Sequence, residues 1–95
     1  MSQHKDRALA RIHDKSIKLG VIGMGYVGLP LATVFAEAGV QVVGFDVNAP
    51  RMAQLNSGES YIEDIPSAQV ARLVEAGLLR GTADFSELAG MDAIS

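Results

Sequence analysis

Cysteine is absent from all 95 residues, which excludes a disulfide framework, a thiolate zinc site and a cysteine nucleophile within this chain. Histidine is nearly absent too. His4 and His13 are the only side chains that titrate near neutrality without help from their surroundings. Aromatic residues make up 5% of the sequence, so platforms for stacking nucleic-acid bases are scarce and no nucleic-acid partner is expected. No apolar run approaches the roughly 20 residues of a membrane-spanning helix, and no membrane partner is expected either. Any chemistry must therefore come from a bound cofactor or from residues outside this chain, and no metal site is anticipated.

What is present suits one small globular unit. The chain is 48% hydrophobic and 20% charged with a net charge of −3, unlike a disordered segment, which has few apolar residues and a large net charge. Its length allows at most one domain, of a size that buries about 60–70% of its unfolded surface. Charge is unevenly spread. Residues 1–18 carry Lys5, Arg7, Arg11, Lys15 and Lys18 against Asp6 and Asp14, whereas residues 19–95 carry three arginines against nine acids. Asp6 and Asp14 count against a transit peptide, and no apolar run follows the basic residues to make a signal peptide. Residues 1–16 are expected to form a basic extension, frayed or briefly helical through Leu9 and Ile12. Without targeting signals or cysteine, a cytoplasmic location is expected.

Along residues 17–95 strand-like and helix-like segments alternate. Ile17 to Ile22 is a short apolar run of the kind found in buried parallel strands. Val27, Leu31, Val34, Phe35 and Ala38 then recur at helical spacing, and Gly39 ends the pattern. Val40 to Phe45 is a second strand, β-branched and followed by Asp46. Asn48 and Pro50 have the form of a helix start, with Gly58 as its stop. Glu59 to Asp64 lacks a period and reads as a loop. Asp64 or Ser67 is expected to cap a further helix with apolar positions Val70, Leu73, Val74 and Leu78, ending at Gly77. Leu79 to Ala83 is a weakly marked third strand, Asp84 opens a helical turn, and Met91 to Ser95 approaches a fourth. The alternation predicts an α/β fold, the N-terminal βαβαβ part of a doubly wound parallel sheet with helices on both faces. In strand order 3-2-1-4, a chain ending there would leave the first strand as an exposed edge containing Val21 and Ile22.

Gly23-Met24-Gly25-Tyr26-Val27-Gly28 fits G-x-G-x-x-G, a weak signal alone but a strong one in this setting. It follows a predicted strand, opens a predicted helix, and precedes Asp46 at the end of the next strand. This is the Rossmann dinucleotide fingerprint. Gly23 permits the tight turn, Gly25 lets a pyrophosphate approach the backbone, and Gly28 allows the helix to lie close to the strand. The helix start offers free N–H groups and partial positive charge to the diphosphate. No Gly-Lys-Ser/Thr follows, which excludes a Walker phosphate loop. Asp46 can accept hydrogen bonds from the adenosine ribose and would repel a 2′-phosphate, favouring NAD over NADP. Arg51 either lies against the adenosine end or is a solvated helix residue.

The extended run Gly23 to Ala32, with Tyr26-Val27-Gly28 inside it, resembles the opening signature of the UDP-glucose/GDP-mannose dehydrogenase family. The resemblance continues through Gly44-Phe45-Asp46, the Asn48 to Arg51 spacing, Leu55 to Gly58, and Ser60-Tyr61-Ile62-Glu63-Asp64-Ile65. That last segment is similar to the branch acting on UDP-N-acetylhexosamines, above all UDP-N-acetylglucosamine. The resemblance implies a Rossmann-type NAD-binding domain over residues 17–95, cut near its fourth strand, with Gly23, Met24, Gly25, Tyr26, Val27, Gly28, Asp46 and Arg51 at the cofactor. It further implies oxidation of a sugar C6 alcohol to a uronic acid by two NAD, through a thiohemiacetal and a thioester on a catalytic cysteine. That cysteine and the assisting lysine, asparagine and aspartate lie beyond these positions, so no catalytic residue is expected here and the chain should be inactive alone. A UDP-sugar substrate and a homo-oligomer are implied for the complete enzyme. A UDP-glucose or GDP-mannose enzyme, or a stand-alone NAD-binding or regulatory module, are the alternatives. Tyr61 and Glu63 either serve the cofactor and substrate side directly or serve helix entry and packing.

Overall fold

The computed structural model describes residues 17–95; the basic extension expected over residues 1–16 lies outside the described residues. The elements run β1 (Lys18–Ile22), α1 (Gly28–Glu37), β2 (Gln41–Phe45), α2 (Ala49–Asn56), α3 (Ser67–Glu75), β3 (Leu79–Thr82), a 3₁₀ turn (Phe85–Gly90) and β4 (Ala93–Ile94). The four strands are parallel in the order β3-β2-β1-β4, so the predicted α/β fold and strand order are what form. No helix among the described residues is long and apolar enough to cross a membrane.

Parallel register sorts the strand residues onto two faces. Leu19, Val42 and Leu79 stand side by side, as do Val21, Gly44 and Gly81. Against this face pack Leu29, Ala32 and Ala36 of α1, Met52 and Leu55 of α2, and Val70 and Leu73 of α3, all buried in one core. The expectation of helices on both faces is thus corrected: all three helices lie on one. β1, β2 and β3 step across the sheet in a single direction, and right-handed crossovers put successive connections on the same side. On the opposite face, Phe45 meets Phe85 with ring centroids 5.8 Å apart, and Met91 lies beside Gly20.

One further expectation, the exposed edge on β1, is corrected, and the apolar repeat after β1 divides between core and solvent. In α1 the buried face is Leu29, Ala32, Thr33 and Ala36, while Val34 and, just before the helix, Val27 are 65% and 80% exposed. The small residues Gly28, Ala32 and Ala36 repeat at four-residue spacing and bring the helix axis close to the sheet, turning the bulkier valines outward. Nor is β1 an edge. Leu19 and Gly20 pair with Ala93 and Ile94, and flanking bonds run from Ile22 N–H to Ser95 O (2.8 Å) and from Asp92 N–H to Lys18 O (2.8 Å). The short final segment already supplies a ladder; Val21, only 1% exposed, is buried in the core under α1, whereas Ile22 remains 49% exposed.

Local signals account for most boundaries. Asn48 caps α2 by accepting the Arg51 N–H at 3.0 Å, with Pro50 in the first turn. Asp84 caps the 3₁₀ turn through the Ser86 N–H at 3.0 Å. Neither Asp64 nor Ser67 caps α3. The extended Pro66 precedes the helix without a side-chain bond, and the Ser67 hydroxyl instead accepts the Ser60 N–H at 3.0 Å, tying down the loop before it. Asn56, at the end of α2, accepts the Gly81 N–H and donates to the Gly81 carbonyl, both at 2.8 Å. It thereby satisfies backbone on the outer strand β3 that would otherwise present an open edge.

Candidate functional site

The glycine loop between β1 and α1 is held by backbone geometry before any side chain acts. Gly23 has φ +83°, a left-handed conformation that strains residues with a Cβ, and its N–H donates to the Phe45 carbonyl at 2.7 Å. This turns the chain out of β1 across the end of β2. A Cβ on Gly28 would overlap the Gly23 carbonyl oxygen and lie 3.6 Å from Val21 Cγ1. The helix start can sit so close to the strand only because Gly28 has no side chain.

Met24 occupies an unexpected place in this loop. Its side chain is completely buried and fills the space where a Cβ on Gly44 would project. The expected contribution of Met24 to a cofactor site is therefore limited to its backbone, and both backbone groups are already engaged. The Met24 N–H donates to Asp46 Oδ2 at 2.9 Å, and its carbonyl accepts the Tyr61 hydroxyl at 2.6 Å. A glycine interrupting the β-branched run Val42-Val43-Gly44-Phe45 was the available sequence signal for this close approach. The Tyr61 contact, 37 residues away along the chain, carried no local signal.

Asp46 sits at the tip of β2, with Oδ1 accepting the Asn48 N–H at 2.9 Å while Oδ2 faces Met24. These bonds, Asn48 foremost, hold its carboxyl below the ordinary value of 3.8 against the opposing effect of burial, with Arg51 adding a smaller lowering. The residue is thus both a turn cap and a fixed anion beside the glycine loop. The Arg51 guanidinium lies over the Tyr61 ring, 4.9 Å from its centroid. Burial pushes the Tyr61 hydroxyl up to about 12, against a downward pull from Arg51, so it remains a donor throughout the neutral range.

Beyond the loop, the side chains of Tyr26 and Val27 are 85% and 80% exposed. Gly25 has no heavy atom within 4 Å of where a Cβ would stand. Among the described residues, the N–H groups of Gly25, Tyr26 and Val27 have no hydrogen-bond partner. Open space, free donors at a helix start and a nearby ionised carboxylate meet the requirements of an adenosine diphosphate: donors for phosphate oxygens and an acceptor for ribose hydroxyls. Glu63 is exposed and, with Tyr26, Ser60, Tyr61, Ile65 and Ser67, borders an open cleft of about 600 Å³ beside the loop. A more enclosed cavity of about 500 Å³ lined by Lys18, Gln41, Leu79 and Met91 lies at the opposite end of the strands. Ligands of open α/β sheets bind at the carboxyl ends of the strands, so the glycine-loop end is the relevant one.

Parallel sheet, glycine loop and strand-terminal aspartate together define a dinucleotide-binding Rossmann unit. Comparison with known proteins narrows the class. Residues 17–95 match the NAD binding domain of the UDP-glucose/GDP-mannose dehydrogenase family, and the chain belongs to that family. It is 42% identical over 74 residues to the UDP-N-acetyl-D-glucosamine 6-dehydrogenase of Pseudomonas aeruginosa, covering 78% of this chain and 17% of that protein. It is 36% identical over 77 residues to a UDP-glucose 6-dehydrogenase of Haloferax volcanii, covering 81% and 18%. Among solved structures, the UDP-D-ManNAc dehydrogenase of Pyrococcus horikoshii superposes with a TM-score of 0.75 at 32% identity, covering 82% of this chain and 19% of that one. The chain spans less than a fifth of the length of these curated relatives.

Proposed function

We propose that residues 17–95 act as the NAD-binding portion of a nucleotide-sugar 6-dehydrogenase that oxidises the C6 alcohol of a UDP-N-acetylhexosamine, UDP-N-acetylglucosamine foremost, to a uronic acid. The observation that carries the cofactor reading is the Asp46 carboxylate fixed against the Met24 N–H, which sets a ribose acceptor directly beside the free donors of the glycine loop. The substrate reading draws on the Ser60 to Ile65 segment and on the named specificity of the Pseudomonas relative. NAD, when bound, supplies the hydride acceptor for alcohol oxidation.

Each residue has a distinct task in this reading. The N–H groups of Gly25, Tyr26 and Val27 hold the diphosphate, Gly23 and Gly28 shape the loop, and Met24 supports it from below. Asp46 takes the adenosine ribose hydroxyls and disfavours a 2′-phosphate. Arg51, half-buried over Tyr61, borders the adenosine end. With no cysteine in the chain, the thiol nucleophile of the family's reaction has to be supplied by residues outside this sequence. The test is to mix the purified chain with NAD and UDP-N-acetylglucosamine and follow NADH absorbance, alongside calorimetric titration with NAD. Saturable NAD binding without NADH formation is expected. Turnover by the chain alone would overturn the assignment of the nucleophile, and absence of NAD binding would overturn the cofactor reading.

A further inference from the structure

Five contacts around the glycine loop close into a ring. Asp46 Oδ2 accepts the Met24 N–H, and Oδ1 accepts the Asn48 N–H. Asn48 Oδ1 accepts the Arg51 N–H, the Arg51 guanidinium covers the Tyr61 ring, and the Tyr61 hydroxyl returns to the Met24 carbonyl at 2.6 Å. The ring joins three elements distant in sequence: the loop after β1, the tip of β2 with the start of α2, and the loop before α3.

The bond that completes it acts on one peptide unit. The Met24 carbonyl and the Gly25 N–H belong to the same planar trans peptide, in which C=O and N–H point in opposite directions. Anchoring the carbonyl on Tyr61 therefore fixes the Gly25 N–H away from Tyr61. That N–H has no partner among the described residues, and Gly25 faces open space. A loop containing Gly23 and Gly25 has the backbone freedom to rotate this peptide, so an external anchor is what keeps its donor in one orientation.

We propose that Tyr61 is a positioning residue of the dinucleotide site: by holding the Met24 carbonyl it aims the Gly25 N–H at the diphosphate of the bound cofactor. This rests on the NAD reading above but assigns Tyr61 a task separate from packing or substrate contact. Arg51 supports the ring of Tyr61 from one side, so the residue bordering adenosine and the residue setting the phosphate donor are mechanically linked.

The test is Tyr61→Phe in the 95-residue chain, which keeps the ring and its stacking on Arg51 and removes only the hydroxyl. In the ligand-free protein the Gly25 amide resonance should move, while amides of β1, β2 and β3 stay in place. NAD affinity should fall about 5- to 10-fold, the scale of one lost hydrogen bond, whereas adenosine, which has no diphosphate, should bind with unchanged affinity. An unmoved Gly25 amide, or NAD and adenosine affinities that are both unchanged or fall together, would overturn the proposal. Failure of the wild-type chain to bind NAD would be a different result, striking the cofactor reading itself, and the Gly25 amide would still report whether Tyr61 sets the peptide.

Discussion

Replacing Gly28 with alanine puts a methyl group onto the Gly23 carbonyl. The added Cβ overlaps the carbonyl oxygen and lies 2.8 Å from its carbon, and because the obstacle is backbone, no rotamer change relieves it. Overpacking in a tight interior costs about 1–3 kcal/mol, and a backbone obstacle places this site at the upper end. Alanine recovers part of that through helix propensity, by less than about 1 kcal/mol at the first residue of a helix. A net loss of about 2–3 kcal/mol is expected, a large share of the roughly 4–12 kcal/mol typical for about 80 ordered residues. For a unit of this size the melting temperature should fall by about 10–20 °C. Gly25→Ala is the control, since nothing lies within 4 Å of the new Cβ; it should melt within about 4 °C of wild type. Circular dichroism melts of the three proteins at equal concentration decide the matter. A Gly28→Ala variant that melts with wild type would refute the close strand-to-helix contact on which the geometry of the glycine loop depends.

Met24 and Asp46 supply two further predictions. Met24→Ala removes a fully buried side chain from against Gly44 and should cost about 2–5 kcal/mol; urea unfolding checks this, and a loss below about 1 kcal/mol would mean the loop is not seated on β2. Asp46, with its carboxyl held below the ordinary 3.8, contributes stability that is fully present above the unfolded value and is lost as pH falls through the folded one. The stability difference between wild type and Asp46→Asn should therefore be constant near neutrality and shrink on acidification below 3.8. A difference that is insensitive to pH, or that widens in acid, would contradict the hydrogen-bonded carboxylate.

How much of this was readable in the sequence depended on whether the governing interaction was local. The cap of Asn48 on α2, the turn at Gly23 and the sequence of strands and helices follow from neighbouring residues, and they formed as expected. The apolar repeat Val27, Leu31 and Val34 marks the helix but not its buried face, because close approach to the sheet selects Gly28, Ala32 and Ala36 for small size. Pairing of β1 with Ala93 and Ile94 is a long-range event carried by only two residues, too few to set a pattern. The same applies within the site. Gly23, Gly25, Gly28 and Asp46 are spaced so that each role could be argued from position, but the Tyr61 hydroxyl on the Met24 carbonyl and the Met24 side chain over Gly44 depend on segments brought together only by the fold.

In the proposed reading, the glycine loop and Asp46 form a site for the adenosine diphosphate of NAD. Calorimetric titration of the 95-residue chain with NAD and with NADP checks this, with Asp46→Ala measured beside wild type. Saturable binding of NAD, weaker binding of NADP, and a loss of about 1–3 kcal/mol in NAD affinity for Asp46→Ala, the scale for hydrogen bonds to a charged group, are expected. Binding of NADP as tightly as NAD, an Asp46→Ala variant with undiminished NAD affinity, or no binding of either nucleotide would contradict it.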